Sequence, residues 1–173
     1  MTVSSWPLVY RICLALALAS LAALGLIDQH LKTAASPLGV VSFELCAYTD
    51  TCGAIVAGWV GNARLMAAMS LGLDYLFMAT YPAAICLGLL LAVPRLPARW
   101  HRAGTVLAWG VWLAGAADAV ENFALCQMLL GQPVAAFQWT ATVAATVKFV
   151  VLVPAVLAWL GAMACTRPSK RTR

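Results

Sequence analysis

The sequence predicts an all-α fold, an integral membrane four-helix bundle with a short interfacial helix in the first outer loop. Of its 173 residues, 64% are hydrophobic and 10% are charged, and the mean hydropathy is +0.90. A soluble domain carries about 25% charged residues. Four apolar stretches are each long enough to cross a bilayer, which takes about 20 helical residues. This composition excludes a soluble fold, a disordered chain and a nucleic-acid-binding module.

The four spans make up one domain, residues 1–173, and their positions follow from the apolar runs. The first span could be a cleaved signal peptide, but its apolar run exceeds the 7–15 residues of a signal core. It also carries a single basic residue near its start, so we interpret it as an uncleaved anchor. The predicted spans and the long loop cover residues 8–27, 65–93, 103–130 and 139–164, with the outer loop at 28–64.

Basic residues predict the orientation, because cytoplasmic loops retain Lys and Arg. Only Lys32 and Arg64 lie in the predicted outer loop, and Lys148 lies inside a span. We therefore expect both termini to be cytoplasmic and the long loop to face the periplasm or cell exterior. The other basic residues lie on the opposite side: Arg11, Arg95, Arg99, Arg102, Arg167, Lys170, Arg171 and Arg173.

The long loop contains the signals of a short helix that ends near Trp59. Thr49, Asp50 or Thr51 can cap its N-terminus, and Ile55, Val56 and Trp59 fall on its apolar side. Such a helix would lie in the membrane interface. Tryptophan rings prefer this boundary, and we expect Trp59 and Trp139 to mark the outer one, with Trp6 and Trp100 at the inner one.

Cys46 and Cys52 are the only cysteines in the predicted outer loop. Because an oxidising compartment favours disulfides, we expect these two residues to be bonded. No cysteine or histidine spacing predicts a metal site or a cofactor, since His30 and His101 fall on opposite sides of the membrane. We interpret Asp28 and His30 as solvated loop residues.

Ionisable residues inside the spans are the most informative feature: Asp74 in the second span, Asp118 and Glu121 in the third, and Lys148 in the fourth. Each costs at least about 2.5–3.5 kcal/mol at a bilayer centre, so they should face the bundle interior and find partners. At 1.5 Å per residue, Asp74, Glu121 and Lys148 all lie ~13–14 Å below the outer boundary. We therefore expect them to meet.

Helical spacing supports this meeting, because Asp118, Glu121 and Asn122 share one face of the third span. Asp74 and Tyr81 belong to a similar stripe on the second span. Three carboxyls against one ammonium leave two negative charges uncompensated, so we expect one or two carboxyls to stay protonated at neutral pH. The candidate ligand-binding residues are Glu44, Asp74, Tyr81, Asp118, Glu121, Asn122 and Lys148.

Four short segments resemble a group of small four-span bacterial membrane proteins without an assigned activity. They are FEL at residues 43–45, SLGLDYLF at 70–77, DAVEN at 118–122 and KF at 148–149. The resemblance implies a bacterial inner (plasma) membrane and supplies no function. The layout also resembles claudins in topology alone. The claudin tryptophan-glycine-leucine-tryptophan pattern before the cysteines is absent, so no adhesion role is expected.

Three functions remain open from the sequence. The first is an accessory protein, or one that binds a lipid or small molecule, with the bilayer and an amphipathic molecule or membrane-protein partner as its contacts. The second is an isomerase-type or cyclase-type enzyme that uses Asp74, Asp118, Glu121 and Lys148 for proton transfer. The third is a small proton-coupled transporter, which the strong charge bias disfavours because dual-topology pairing needs a weak one.

Overall fold

A computed structural model describes residues 5–132 and 135–165 of the chain. It is all-α, with four long helices packed as a bundle: α1 (Trp6–Asp28), α5 (Asn62–Ala92), α6 (His101–Leu129) and α7 (Ala135–Cys165). Three short helices lie between the first two long ones: α2 (Val40–Glu44), α3 (Cys46–Thr49) and α4 (Cys52–Gly58). Single 3₁₀ turns occur at Gln29–Leu31, Val93–Arg95 and Ala98–Trp100. The predicted fold class is confirmed.

Each long helix is long and apolar enough to cross a membrane, which indicates a multi-pass membrane protein. α5 begins at Asn62 and α7 at Ala135, a few residues before the predicted spans, because a helix can extend beyond the apolar segment that crosses the membrane. At that end the guanidinium of Arg64 donates a hydrogen bond to the Leu129 carbonyl and ties α5 to α6. The basic tail used for the orientation lies outside the described residues.

The long helices pack in the order α1, α5, α6, α7, and α1 and α7 make hardly any close contact with each other. α5 is consequently the most buried span and α1 the least buried. At Gly88, Tyr10 from α1 and Trp159 from α7 both approach the α5 backbone. Both rings therefore lie against α5 at the end of the bundle remote from the short helices. Nearer the short helices, a cavity lies between the long helices and α2.

The segment of residues 29–61, here called the first connection, packs into the bundle instead of lying free. Trp59 is 1% exposed, its Nε1 donates to the Leu31 carbonyl at 2.9 Å, and its ring meets Phe43 edge-on. Protein atoms therefore satisfy both the apolar ring and the N–H group of Trp59, and its place at the outer membrane boundary stays a prediction. Trp139 is half exposed.

The predicted short helix that ends near Trp59 is present as α4, and two further short helices, α2 and α3, precede it. α4 begins after Thr51, whose side chain makes no capping hydrogen bond, and Asp50 adopts a left-handed backbone conformation between α3 and α4. This turn breaks the chain into separate helices. Ile55 is completely buried, as expected for the apolar side, but its contacts are with the protein core.

Asp28 determines where the first of these helices begins. Its Oδ1 accepts a hydrogen bond from the Val40 backbone N–H at 2.7 Å. Gly39, just before, has a positive φ of 60° and no space for a Cβ, because the Asp28 carboxylate fills it. The interpretation of Asp28 as a solvated loop residue is wrong, because it is the last residue of α1 and its carboxylate is bonded within the protein. A partly buried backbone N–H is satisfied best by a protein acceptor, and this carboxylate supplies it.

Hydroxyl groups on α7 hold the first connection against the bundle. The Thr142 hydroxyl donates to the Glu44 carbonyl at 2.8 Å and accepts from the Ala47 N–H at 3.3 Å. The Tyr48 hydroxyl lies 3.0 Å from Thr146 Oγ1. Docking of α2 and α3 onto α7 therefore depends on two threonines one helical turn apart.

The sulfur atoms of Cys46 and Cys52 lie at bonding distance, as the sequence predicts. The pair joins the start of α3 to the start of α4, and both residues are buried in the core of the first connection. This link restricts the segment that follows Glu44.

We expect Thr142→Val to destabilise the protein by about 1–3 kcal/mol, because it leaves a buried N–H and a buried carbonyl without their partner. Thermal unfolding of the detergent-purified protein measures the loss. Thr140→Val, on the exposed side of the same helix, is the matched control. Equal stability of the two variants would contradict a docking role for Thr142.

Candidate functional site

Lys148 on α7 is the centre of a buried ion-pair network. Its Nζ lies 3.1 Å from Asp118 Oδ1, 2.8 Å from Glu121 Oε2 and 3.4 Å from Glu44 Oε1. Lys148 is 7% exposed, and Asp118 and Glu121 are each 2% exposed. The low polarity around these groups strengthens their attraction and makes any unpaired charge costly.

Helical register brings the groups from α6 and α7 together, as predicted. Asp118 lies one helical turn before Glu121 and Asn122, and all three residues are on the buried face of α6. On α7, small side chains of the facing surface are buried and allow the two helices to approach closely: Ala141, Ala144 and Ala145. The predicted meeting of Glu121 with Lys148 is confirmed.

Glu44 reaches the network from the first connection, at the last residue of α2. Burial raises the pKa of its carboxyl above the ordinary glutamate value; the Lys148 ammonium opposes this rise and the Asp118 carboxylate adds to it. Glu44 Oε2 makes no hydrogen bond within the described residues. Glu44 is thus paired with Lys148, which also pairs with Asp118 and Glu121.

Asp74 on α5 lies beside this network without joining it. It is partly exposed, and within residues 5–132 and 135–165 it makes no hydrogen bond or ion pair. Asp74 faces the same cavity as Asp118 and Lys148. Asp74 therefore shares the cavity with Lys148 and Glu121, but the predicted direct contact between Asp74 and Lys148 does not form. α7, which carries Lys148, packs mainly against α6 and much less against α5.

The two remaining predicted residues occupy different roles. Asn122 Nδ2 donates to the Leu71 carbonyl at 2.8 Å and so fastens α6 to the α5 backbone. The Tyr81 hydroxyl, on α5, lies beside the Asp118 carboxyl. It finds no partner at normal hydrogen-bond length in the described part of the chain.

A cavity of about 280 Å³ connects these groups, between α1, α2, α5, α6 and α7. Its lining contains Lys148 and five of the six acidic residues of the chain: Asp28, Glu44, Asp74, Asp118 and Glu121. Apolar side chains from all five helices complete the lining, among them Leu21 and Leu24 from α1 and Phe149 and Leu152 from α7. A cavity lined by both charged and apolar side chains suits an amphipathic molecule.

Sequence reasoning missed that Glu44 pairs with Lys148 and that Asp28 borders the cavity. The depth of a residue in the membrane can be estimated from its position along a straight helical span. This estimate cannot be made for a residue of the first connection, because that segment folds back onto the bundle. One signal was present, since Glu44 is a single acid within an apolar stretch, VVSFELC at residues 40–46. Such an acid has to find a buried partner.

No protein-family model, no curated protein and no solved structure matches the chain. The resemblance to four-span bacterial membrane proteins therefore stays a prediction, and the case for a function rests on the geometry of the site.

We expect Lys148→Ala to destabilise the protein by about 3–5 kcal/mol, because the variant leaves buried carboxylates without their cation. Adding Glu121→Gln should restore part of the loss, since one fewer charge then needs compensation. Thermal unfolding of both single variants and the double variant measures the coupling. Lys32→Ala, at an exposed lysine, serves as the control. Purely additive losses would exclude the pairing.

The raised pKa of Glu44 predicts a pH dependence. The folded state holds its proton more tightly than the unfolded state does, so this contribution is fully present below the ordinary glutamate pKa. It is lost as the pH rises toward the folded-state pKa. Unfolding temperatures of wild type and Glu44→Gln, measured over a pH series, should show wild type losing stability relative to the variant as pH increases. A constant difference would refute the raised pKa.

Proposed function

We propose that the protein is a membrane-embedded binding protein that takes a small amphipathic molecule into the cavity beside Lys148. The observation that carries this proposal is a cavity of about 280 Å³ lined by both charged and apolar side chains. Pockets for drug-sized ligands measure about 300–1,000 Å³, so the ligand is small, or only part of it enters. The binding residues are Glu44, Asp74, Tyr81, Asp118, Glu121 and Lys148, and Asn122 positions α6.

Open space and unsatisfied polar atoms favour binding over a purely structural network. A network that only locks helices together gains from dense packing and from satisfying every buried polar group. Here the groups border a cavity, and both the Tyr81 hydroxyl and Glu44 Oε2 are without hydrogen bonds in the described structure. A ligand would supply the missing partners.

The proposed location is a bacterial inner membrane with both termini in the cytoplasm. The distribution of basic residues supports this orientation. The Cys46–Cys52 pair supports it as well, because a disulfide persists on the oxidising side of that membrane. In this orientation the ligand enters from the outer leaflet or the outer aqueous phase.

Proton-transfer catalysis is the second candidate, and the position of Tyr81 favours it. A phenol beside Asp118, with Asp74, Glu121 and Lys148 around the same cavity, provides several groups that can give or accept a proton. An isomerisation or cyclisation of a bound amphiphile would need no other chemical group. This candidate includes the binding step and differs in what happens to the ligand.

A cavity-filling variant tests the binding proposal. Gly25 borders the cavity on α1, and a Cβ atom added to it would have no other atom within 4 Å. Gly25→Leu should therefore occupy the cavity without touching the ion pairs. Native mass spectrometry of the protein purified in mild detergent should detect a bound small molecule in wild type. Its occupancy should fall by about tenfold in the variant, which corresponds to about 1.4 kcal/mol.

Gly72→Leu is the matched control, because Gly72 is exposed on α5, also has free space, and lies outside the cavity. This variant should keep the bound molecule. Absence of any bound molecule from wild type, or equal occupancy in Gly25→Leu, would refute the binding proposal. Conversion of the bound molecule into an isomer of the same mass, separated from it by chromatography, would favour the enzymatic alternative.

A further inference from the structure

The cavity has an excess of acidic groups that its own cation does not balance. Lys148 is the only basic residue that borders it in the described structure, against five carboxyls. Asp28 is satisfied by the Val40 N–H, and Lys148 is shared among Glu44, Asp118 and Glu121. Asp74 has no such partner, so it is the acid with the least compensation in the site.

Two buried side chains that border the cavity carry an oxygen without a hydrogen-bond partner in the described part of the chain, and one of them, Tyr81, is not part of this charge count. Tyr81 is 4% exposed and Glu44 is 8% exposed, and both border the cavity. The Tyr81 hydroxyl and Glu44 Oε2 have no hydrogen-bond partner within the described residues. Leaving a buried polar atom unpaired is costly. Both oxygens can accept hydrogen bonds, so a donor with several hydrogens would satisfy them.

Apolar residues of the cavity provide a place for a hydrocarbon chain. Leu21 and Leu24 come from α1, and Phe149 and Leu152 come from α7, the two long helices with hardly any close contact between them. A hydrocarbon chain placed between these helices would contact these side chains.

We propose that the ligand is an amphipathic amine, whose protonated nitrogen pairs with Asp74 and donates to the Tyr81 hydroxyl and Glu44 while its apolar chain lies between α1 and α7. This inference rests on the proposed binding function and names the chemical class of its ligand. A protonated primary amine has three donors and no acceptor, which complements oxygen atoms that lack donors. It also lowers the net negative charge of the site.

Other head groups fit the same cavity less well. A carboxylate or phosphate would compete with three carboxyls for the single ammonium of Lys148 and would add repulsion from Asp74. An alcohol has one donor and carries no charge, so it would leave the excess of acidic groups unchanged. Differences between an amine and its matched alcohol therefore isolate the charge of the head group.

Octylamine, octanol and octanoate form a probe series with equal chain length and different head groups. Each is titrated into the detergent-purified full-length protein while its unfolding temperature is recorded. Octylamine should raise the unfolding temperature of wild type by about 2–6 °C near saturation. Octanol and octanoate should raise it by less than a third of that value.

Asp74→Asn removes the charge at nearly constant shape and should reduce the effect of octylamine to that of octanol. Asp50→Asn is the matched control, because Asp50 is exposed and outside the cavity, and asparagine tolerates its left-handed backbone conformation. This variant should respond to octylamine as wild type does.

The wild-type series decides the proposal even if Asp74→Asn does not fold. Equal stabilisation by octylamine and octanol would overturn the amine assignment and leave the binding proposal standing. Stronger stabilisation by octanoate would overturn it too, as would an unchanged response of Asp74→Asn. Loss of the bound molecule on filling the cavity, the test of the binding proposal, does not depend on any of these probes.

Discussion

The contact of one ammonium with three carboxyl groups is the interaction on which the rest of the structure depends. Lys148 from α7 meets Asp118 and Glu121 from α6 and Glu44 from α2. A lysine inside an apolar bundle is tolerated only when charged partners surround it. This requirement determines which faces of α6 and α7 meet and brings the first connection down onto the bundle.

The first connection is therefore part of the site and not a surface loop. Asp28 starts α2, Thr142 holds the end of α2 against α7, and the Cys46–Cys52 pair restrains the following segment. Glu44 lies between these restraints. Local polar contacts that stabilise the fold also place a carboxyl in the cavity, so the structural and functional interpretations of the network do not exclude each other.

Charge balance connects the network to the proposed ligand. Pairing each carboxyl with its own cation would give a closed and purely structural core. Instead, one cation is shared, Asp74 is left outside the pairing, and Tyr81 carries a free hydroxyl within the described structure. The resulting site combines acidic groups with apolar side chains, which a small cationic amphiphile complements.

The sequence by itself determined the class of fold, the four spans and the meeting of Glu121 with Lys148. Hydropathy identifies helices that must cross an apolar medium, and the 3.6-residue period of a helix determines which residues share a face. Only the tertiary structure decided that Glu44 joins Lys148, that Trp59 is buried and that Asp74 stays unpaired. These outcomes depend on how a folded connection and a neighbouring helix are placed. No periodicity encodes that placement, because it results from contacts between residues far apart in the chain.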